Sequence, residues 1–568
     1  MKQFLYAIAI VTIIQFFIGS CANPISPTGG PKDTLAPVLL HSYPEDQTLN
    51  FKDNIISLDF DEFINADKIK QNLIITPITD ISYKSFVKKR NITLTFTEPF
   101  QDSTTYTFNF FDGVTDITEK NPAENLILAF STGDFIDSLY MYGSISDLFN
   151  DKPSDKTTVG IYKVTDTLDF NKVKPTYFTT TDENGSFYIQ NIKAGDYKIL
   201  AFLDENKNLQ FDASSEAYGF KQDTLHIFES IQDSIELKTV AIDASPIQLT
   251  SARASGLYYE LRYSKPIVSY QIQNADDLYL PSKISGESET VRIYPLSLPK
   301  DSTLTYVTVF DSLKNSKTDT VFVKFKESSR KQEEFKYSML PKSGSAVFTD
   351  QHYQIQFNKP VVLLDTNFLN VKIDTIFQLD YKPKNISFNY NYTQLFFSLD
   401  INPKNYLDSI NQLIQQYPFD STHTDSTNYP INRKLNSLPK DRFTITIKDK
   451  IIHSVEGDTI KSIEGNYKFA DQSKFGLVRV TLNTEETHFI VQLMSKDKAV
   501  RSMSNCTNCT FNSLPPGDYW LRILIDQNQD GKWSYGNFLQ NEEPEPVLYF
   551  PEKTTLRANW EVELEYSF

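Results

Sequence analysis

The 568-residue chain is predicted to be all-β, a series of tandem β-sandwich modules with one short helical insertion. Apolar and polar residues alternate in short runs such as Ile56-Ser57-Leu58-Asp59-Phe60, Ile92-Thr93-Leu94-Thr95-Phe96 and Tyr106-Thr107-Phe108-Asn109-Phe110. Such runs put one strand face in a core and the other in water. Aromatic residues are plentiful, with 31 Tyr and 42 Phe, beside recurring Val, Ile and Thr, which is strand composition. Two separate patterns also recur along the chain, and its length exceeds what one core organises.

The amino end comes first. Phe4 to Ile18 is an almost unbroken apolar run led by Lys2 and closed by Gly19-Ser20. It is too short and too lightly flanked for a membrane span and fits the apolar part of a secretory signal, assigned to residues 1–20. Cys21 directly after Ile18-Gly19-Ser20 resembles the lipobox of bacterial lipoproteins. That resemblance implies a cleaved chain beginning at a lipidated Cys21, held by several acyl chains because one alone is reversible. Ala22 in the next position favours the outer of two membranes. Residues 21–34 hold this cysteine and a linker rich in Pro, Gly and Ser, able to span about 45 Å when extended.

The first folded block is assigned to 35–133. Its Ser42-Tyr43-Pro44, Asp59-Phe60-Asp61-Glu62 and Phe130-Ser131-Thr132 resemble the bacterial Ig-like modules of surface-layer and lipid-anchored proteins. Tyr259 to Ile267 (Tyr-Glu-Leu-Arg-Tyr-Ser-Lys-Pro-Ile) matches Tyr353 to Val361 (Tyr-Gln-Ile-Gln-Phe-Asn-Lys-Pro-Val), and both match Ile56 to Ile64 except that Phe63 stands where the others have proline. Asp102-Ser103-Thr104 and Asp301-Ser302-Thr303, and then Phe111-Asp112 and Phe310-Asp311, extend the match. Two further modules of this kind are therefore expected at 246–330 and 335–470.

The second pattern is sharper. Gly195 to Asn208 aligns with Gly517 to Asp530 at a constant offset of 517 − 195 = 322, with Ile192 over Leu514 and Phe211 over Trp533. Asp182-Glu183-Asn184-Gly185 is a hairpin turn signal upstream of the first copy. These segments resemble the small transthyretin-like sandwich that also serves as a carboxypeptidase regulatory module, and 137–245 and 472–568 are assigned to it. The same offset sets Cys506 over Asn184 and Cys509 over Phe187. Behind an export signal the Cys506/Cys509 pair reads as a small structural disulfide that fixes a turn, with a zinc half-site or a redox pair as the alternatives.

Pro403 to Gln416 departs from strand periodicity. Tyr406, Leu407, Ile410, Leu413 and Ile414 recur at helical spacing, so a short helix is expected, followed by a polar loop, together an insertion near 403–440 in the module at 335–470. Asp526, Asn528 and Asp530, followed by Gly531, place oxygen donors at alternate positions as a calcium loop does. Position twelve is Asn537 instead of Glu, and the competing reading is an Asp/Asn turn that bonds its own backbone. Six triplets, among them Asp311-Ser312-Leu313, Asp374-Thr375-Ile376 and Asp458-Thr459-Ile460, are similar to the O-glycan acceptor sequence of exported Bacteroidota proteins.

Charge and chemistry narrow the function. The formal net charge of −16 disfavours nucleic acid as a partner. The six histidines (His41, His226, His352, His423, His453, His488) are scattered, and no phosphate loop or nucleophile elbow is present, so no catalytic residue is assigned. The entry Gly29-Gly30-Pro31-Lys32-Asp33-Thr34 and the tail Pro544 to Pro551 through Arg557-Ala558-Asn559-Trp560-Glu561 resemble a Bacteroidota lipoprotein family with an N-terminal Ig-like domain. The expectation is a non-enzymatic, lipid-anchored outer-membrane protein, a scaffold or accessory subunit of a β-barrel machine for barrel assembly or transport. Its expected partners are an outer-membrane β-barrel protein and other envelope lipoproteins. The alternatives are a surface adhesin or glycan-binding lipoprotein and an envelope hydrolase.

Overall fold

A computed structural model of the chain describes residues 33–568 except 167, 256, 275–278, 296–301, 326–332, 349–350, 364, 366, 374–377, 380 and 417–438. The signal segment, Cys21, most of the linker, Asp301, Asp374-Thr375-Ile376 and His423 lie outside the described residues. The chain is a succession of short strands. Five hydrophobic cores follow one another, running from Phe51 to Phe130, Met141 to Leu237, Ile247 to Phe325, Met339 to Tyr467 and Val478 to Leu556. We refer to these as the first to fifth sandwich. Two compact units contain them: one holds residues up to 145, 154–210 and 223–237, the other 146–153, 211–222 and 238–568.

The first, third and fourth sandwiches repeat one four-stranded sheet. Ile55–Phe60 lies between Leu39–Tyr43 and Asn91–Phe96, with Tyr83–Lys88 beyond. Tyr258–Tyr263 lies between Leu249–Ser255 and Thr290–Ile293, with Ser282–Ser285 beyond. His352–Phe357 lies between Tyr337–Leu340 and Gln394–Ser398, with Lys384–Phe388 beyond. In each, the matched strand buries the same alternate positions: Ile56, Leu58 and Phe60, then Tyr259, Leu261 and Tyr263, then Tyr353, Ile355 and Phe357. Each such side chain contributes about 1.5–3 kcal/mol, and a slip of one residue would turn all of them into water. The facing sheets centre on Thr105–Asn109, Thr303–Phe310 and Arg442–Ile447.

The second and fifth sandwiches share another topology. Ser186–Ile192, Leu139–Asp147 and Ile235–Thr239 form one sheet of the second. Asn508–Leu514, Gly476–Asn483 and Glu561–Ser567 do the same in the fifth. Strands Gly195–Phe202 and Gly517–Ile525 begin at the aligned glycines and pair with Thr158–Lys163 and Phe489–Ser495. The turn at Asn184-Gly185 corrects one expectation. It does not close a hairpin, because Tyr177–Thr180 pairs with Thr158–Lys163 while Ser186–Ile192 pairs with Leu139–Asp147. The turn hands the chain from one sheet to the other, with Gly185 at φ 73°, a conformation glycine adopts without a steric penalty.

The helix spans Pro403–Gln416, as its periodicity predicts. Asn402 caps it, its side-chain oxygen accepting the Asn405 N–H at 2.8 Å, and proline suits the first helical position. Tyr406 and Ile410 are buried in the fourth core, whereas Leu407 is 36% exposed at its rim. The side chains of Leu413 and Ile414 lie outside the described residues.

Candidate functional site

The repeated strand ends on a polar position that organises each sandwich of the first kind. In the third it is Lys265, 3% exposed. Its ammonium lies 2.9 Å from Asp311 Oδ2 and donates to the carbonyls of Asp243 at 2.8 Å and Ser245 at 2.7 Å. All three N–H bonds are used, and the two carbonyls belong to the segment entering the sandwich, so Lys265 fastens that segment to the core. In the fourth sandwich Lys359 is equally buried, 2.5 Å from both Glu456 Oε2 and Asp458 Oδ2. Burial lowers its pKa, and the hydrogen bonds that the ammonium donates to Asp458 and then Glu456 outweigh burial and raise it.

The first sandwich carries Glu62 at that position. Glu62, Asp33 and Asp116 bring carboxylate oxygens within 4.8 Å of one another. Burial, then Asp116, Asp33 and Asp61, push the Glu62 carboxyl up. Asp116 is fully buried and bonds the Glu119, Lys120 and Asn121 amides. Burial works against its charge, yet these amides and the Asn121 side chain hold its pKa at about 2. Asn121 Nδ2 also donates to the carbonyls of Asp33 and Leu35, doing for the entering segment what Lys265 does in the third sandwich. Asp311 makes a matching loop by accepting the Leu313 and Asn315 amides. The sequence match of Asp112 with Asp311 is thereby corrected: the short turn Phe111–Gly113 displaces Asp112 to the surface, and Asp116 takes the role. Three carboxylates would suit a hard cation, but Asp116 is satisfied by its own loop.

Cys506 and Cys509 are joined by a disulfide. It occupies the corner between Lys498–Ser504 of one sheet and Asn508–Leu514 of the other, the place of the Asn184-Gly185 turn. The register agrees, since Cys509 pairs with Val480 as Phe187 pairs with Gly143.

The loop from Asp526 follows directly from the strand Gly517–Ile525. Asp526 is buried, and its two oxygens accept the Asp530 and Gly531 amides at 3.1 and 2.8 Å. Asn528 Oδ1 accepts the same Asp530 amide, and Asp530 accepts the Lys532 amide and pairs with Lys314 at 2.6 Å. Lys314, foremost, pulls the Asp530 carboxyl below its usual range. Glu545, also buried, accepts the Asn528 and Ser534 amides. The first copy bonds identically, Asp204 accepting the Asn208 and Leu209 amides, with Leu209 at φ 58° where Gly531 has 82°. These hydrogen bonds make the loop an Asp/Asn turn that bonds its own backbone.

Beyond it, the loop joins distant parts of the second unit. Asn537, 3% exposed, donates to the Leu313 carbonyl at 3.0 Å and Asn315 Oδ1 at 2.9 Å. The Phe538 ring packs on Phe211, Tyr218 and Phe220 with centroids 5.1, 5.2 and 5.4 Å away. Glu543 accepts the Gln222 amide at 2.7 Å. Sequence reading met Asn537 only as position twelve of the loop and did not find its long-range bonds or Phe538, because a contact between segments hundreds of residues apart leaves no local period. It found the Lys265 and Lys359 match without reading the lysines as buried, since lysine is seldom buried unless paired.

The described histidines with hydrogen bonds serve local structure. His226 lies 2.7 Å from Asp196 as its cross-strand neighbour, His453 bonds the Lys450 carbonyl and His488 the Thr487 hydroxyl. Ser312 and Thr459, the hydroxyl positions of two candidate O-glycan triplets, are exposed.

A family model for the bacterial Ig-like domain matches residues 33–132. The first sandwich is a bacterial Ig-like domain. Among solved structures, this Ig-containing chain is similar to the N-terminal part of the bacterial S-layer protein SbsC at 16% identity, TM-score 0.14, covering 36% of this chain and 44% of that one. Domains 1–6 of SbsC are 10% identical over 93% of this chain and 67% of that one, TM-score 0.14. An L,D-transpeptidase from Mycobacterium smegmatis is 8% identical over 36% of this chain and 89% of that one, TM-score 0.13. The chain thus spans less than half the length of the first of these structures. No curated protein matches it in sequence.

Proposed function

We propose that the chain is a non-enzymatic lipoprotein of the Bacteroidota outer membrane, anchored through Cys21, that works as a scaffold or accessory subunit of a β-barrel machine. In this reading the second and fifth sandwiches are transthyretin-like, carboxypeptidase-regulatory-like modules. The Cys21 junction carries it: an apolar export signal ends in Ile18-Gly19-Ser20-Cys21 ahead of a linker, and several acyl chains at one cysteine hold a protein at a bilayer. The buried polar clusters add support, since Lys265, Asn121 and Asn537 are engaged in holding segments together. The Asp526 loop belongs to this framework as a clamp, through Asn537 and the Lys314–Asp530 pair. Full-length tagged protein purified in mild detergent is expected to bring down one outer-membrane β-barrel protein in near-equal amount, together with other envelope lipoproteins. Recovery of the lipoprotein alone would refute the docking role, and activity abolished by a single carboxylate or histidine substitution would favour the envelope hydrolase instead.

A further inference from the structure

In the second unit, a cleft of about 600 Å³ opens between the third and fourth sandwiches, with Tyr279 and Leu280 on one wall and the turn from Phe388 to Tyr392 on the other. Its tyrosines are held out to water: Tyr279 is 57% exposed, Tyr390 77% and Tyr392 45%. Exposed aromatic rings side by side are uncommon on a surface that has no use for them.

The turn that presents them is fixed from within. Asn389 Oδ1 accepts the Thr393 and Gln394 amides, both at 2.8 Å, and Asn389 Nδ2 and the Thr393 hydroxyl both donate to Asn391 Oδ1. Tyr392 sits at φ 55°, a conformation that costs an aromatic residue energy and persists where surrounding bonds impose it. Its ring meets Tyr279 edge-on across the cleft at 6.4 Å and tilts against Phe388 at 5.6 Å. The Tyr279 and Tyr392 rings are therefore positioned before any ligand arrives, which lowers the entropic cost of binding.

Charged residues make up 23% of the chain, yet among the described residues the lining contains only aromatic, aliphatic, Asn and Ser side chains. The concavity is of small-molecule size, unlike the broad flat face of a standard protein interface. Tyrosine offers an apolar face and a hydroxyl on one rigid ring, which matches a ligand with flat C–H faces and a rim of hydroxyls.

We infer that this cleft binds a neutral oligosaccharide, with sugar rings packed on Tyr279, Tyr390 and Tyr392. The inference does not depend on docking to a barrel protein. The test is calorimetric titration of the full chain with neutral tetrasaccharides: cellotetraose, maltotetraose and chitotetraose. At least one is expected to bind, and Tyr390→Ala, which removes an exposed ring and leaves the core untouched, should weaken it by about tenfold. Phe86→Ala, at an exposed aromatic of the first sandwich, should leave the affinity unchanged. Absence of binding across the three sugars, equal binding by Tyr390→Ala, or binding of an apolar peptide in place of the sugars would overturn the inference.

Discussion

Replacing Lys265 by methionine removes an ammonium that is 3% exposed while leaving a stem of similar volume. Asp311, 1% exposed, loses its cation at 2.9 Å, and the carbonyls of Asp243 and Ser245 lose their donor. Breaking a buried pair by removing one partner costs about 3–5 kcal/mol, against the 0–1 kcal/mol typical of exposed pairs. Lys314→Met is the internal control, because Lys314 pairs with Asp530 with its side chain 58% exposed. Amide hydrogen exchange on the full chain localises the effect, since opening of one sandwich is read separately from the rest. Exchange in Tyr258–Tyr263 and Thr303–Phe310 should accelerate by roughly 100- to 5,000-fold in Lys265→Met, with less than about tenfold in Lys314→Met. Equal, small effects of the two substitutions would show that Lys265 does not fasten the entering segment, and the reasoning would fail.

Glu62→Lys should move the first sandwich toward the third: an ammonium beside Asp116 replaces a like charge, and exchange in Ile55–Phe60 and Asn91–Phe96 should slow. The Asp116 carboxyl lies at about 2 against its ordinary 3.8, so the unfolded chain binds more protons between those values. Its contribution is complete above that window and lost as pH falls through about 2, and Asp116→Asn should remove this acid dependence from the melting of the first sandwich while destabilising it at pH 7. Reduction of Cys506–Cys509 should cost the fifth sandwich about 2 kcal/mol, because the closed loop is so short, visible as a lowered melting transition confined to that module. Phe538→Ala should cost about 1–3 kcal/mol of packing on Phe211, Tyr218 and Phe220, since the ring is only partly buried, and amide exchange in Tyr218–Phe220 should accelerate with unchanged strand content by circular dichroism.

What the sequence made legible follows from period. Alternation in Ile56 to Phe60 and its two later copies is a local property, and one sheet order recurs around all three. The 322-residue offset is equally local, and strands Ser186–Ile192 and Asn508–Leu514 begin and end in register with it. Pro403–Gln416 could be read because its apolar residues recur at helical spacing. Partners across long separations could not. Asp116 was hidden because the Phe111–Gly113 turn shifts the loop, and the pairing of Lys359 with Glu456 spans 97 positions of unrelated sequence. The Asn184-Gly185 signal gave the turn but not its destination, since a two-sheet corner and a hairpin use the same residues. Tyr279 and Tyr390 lie 111 positions apart, and only the fold puts them on facing walls.

The anchor is the claim on which the functional reading turns, and mass spectrometry of the mature amino-terminal peptide from the outer-membrane fraction tests it directly. The expected peptide starts at Cys21 and carries the mass of its acyl chains. A peptide with unmodified Cys21, or one retaining Phe4 to Ser20, would contradict the account.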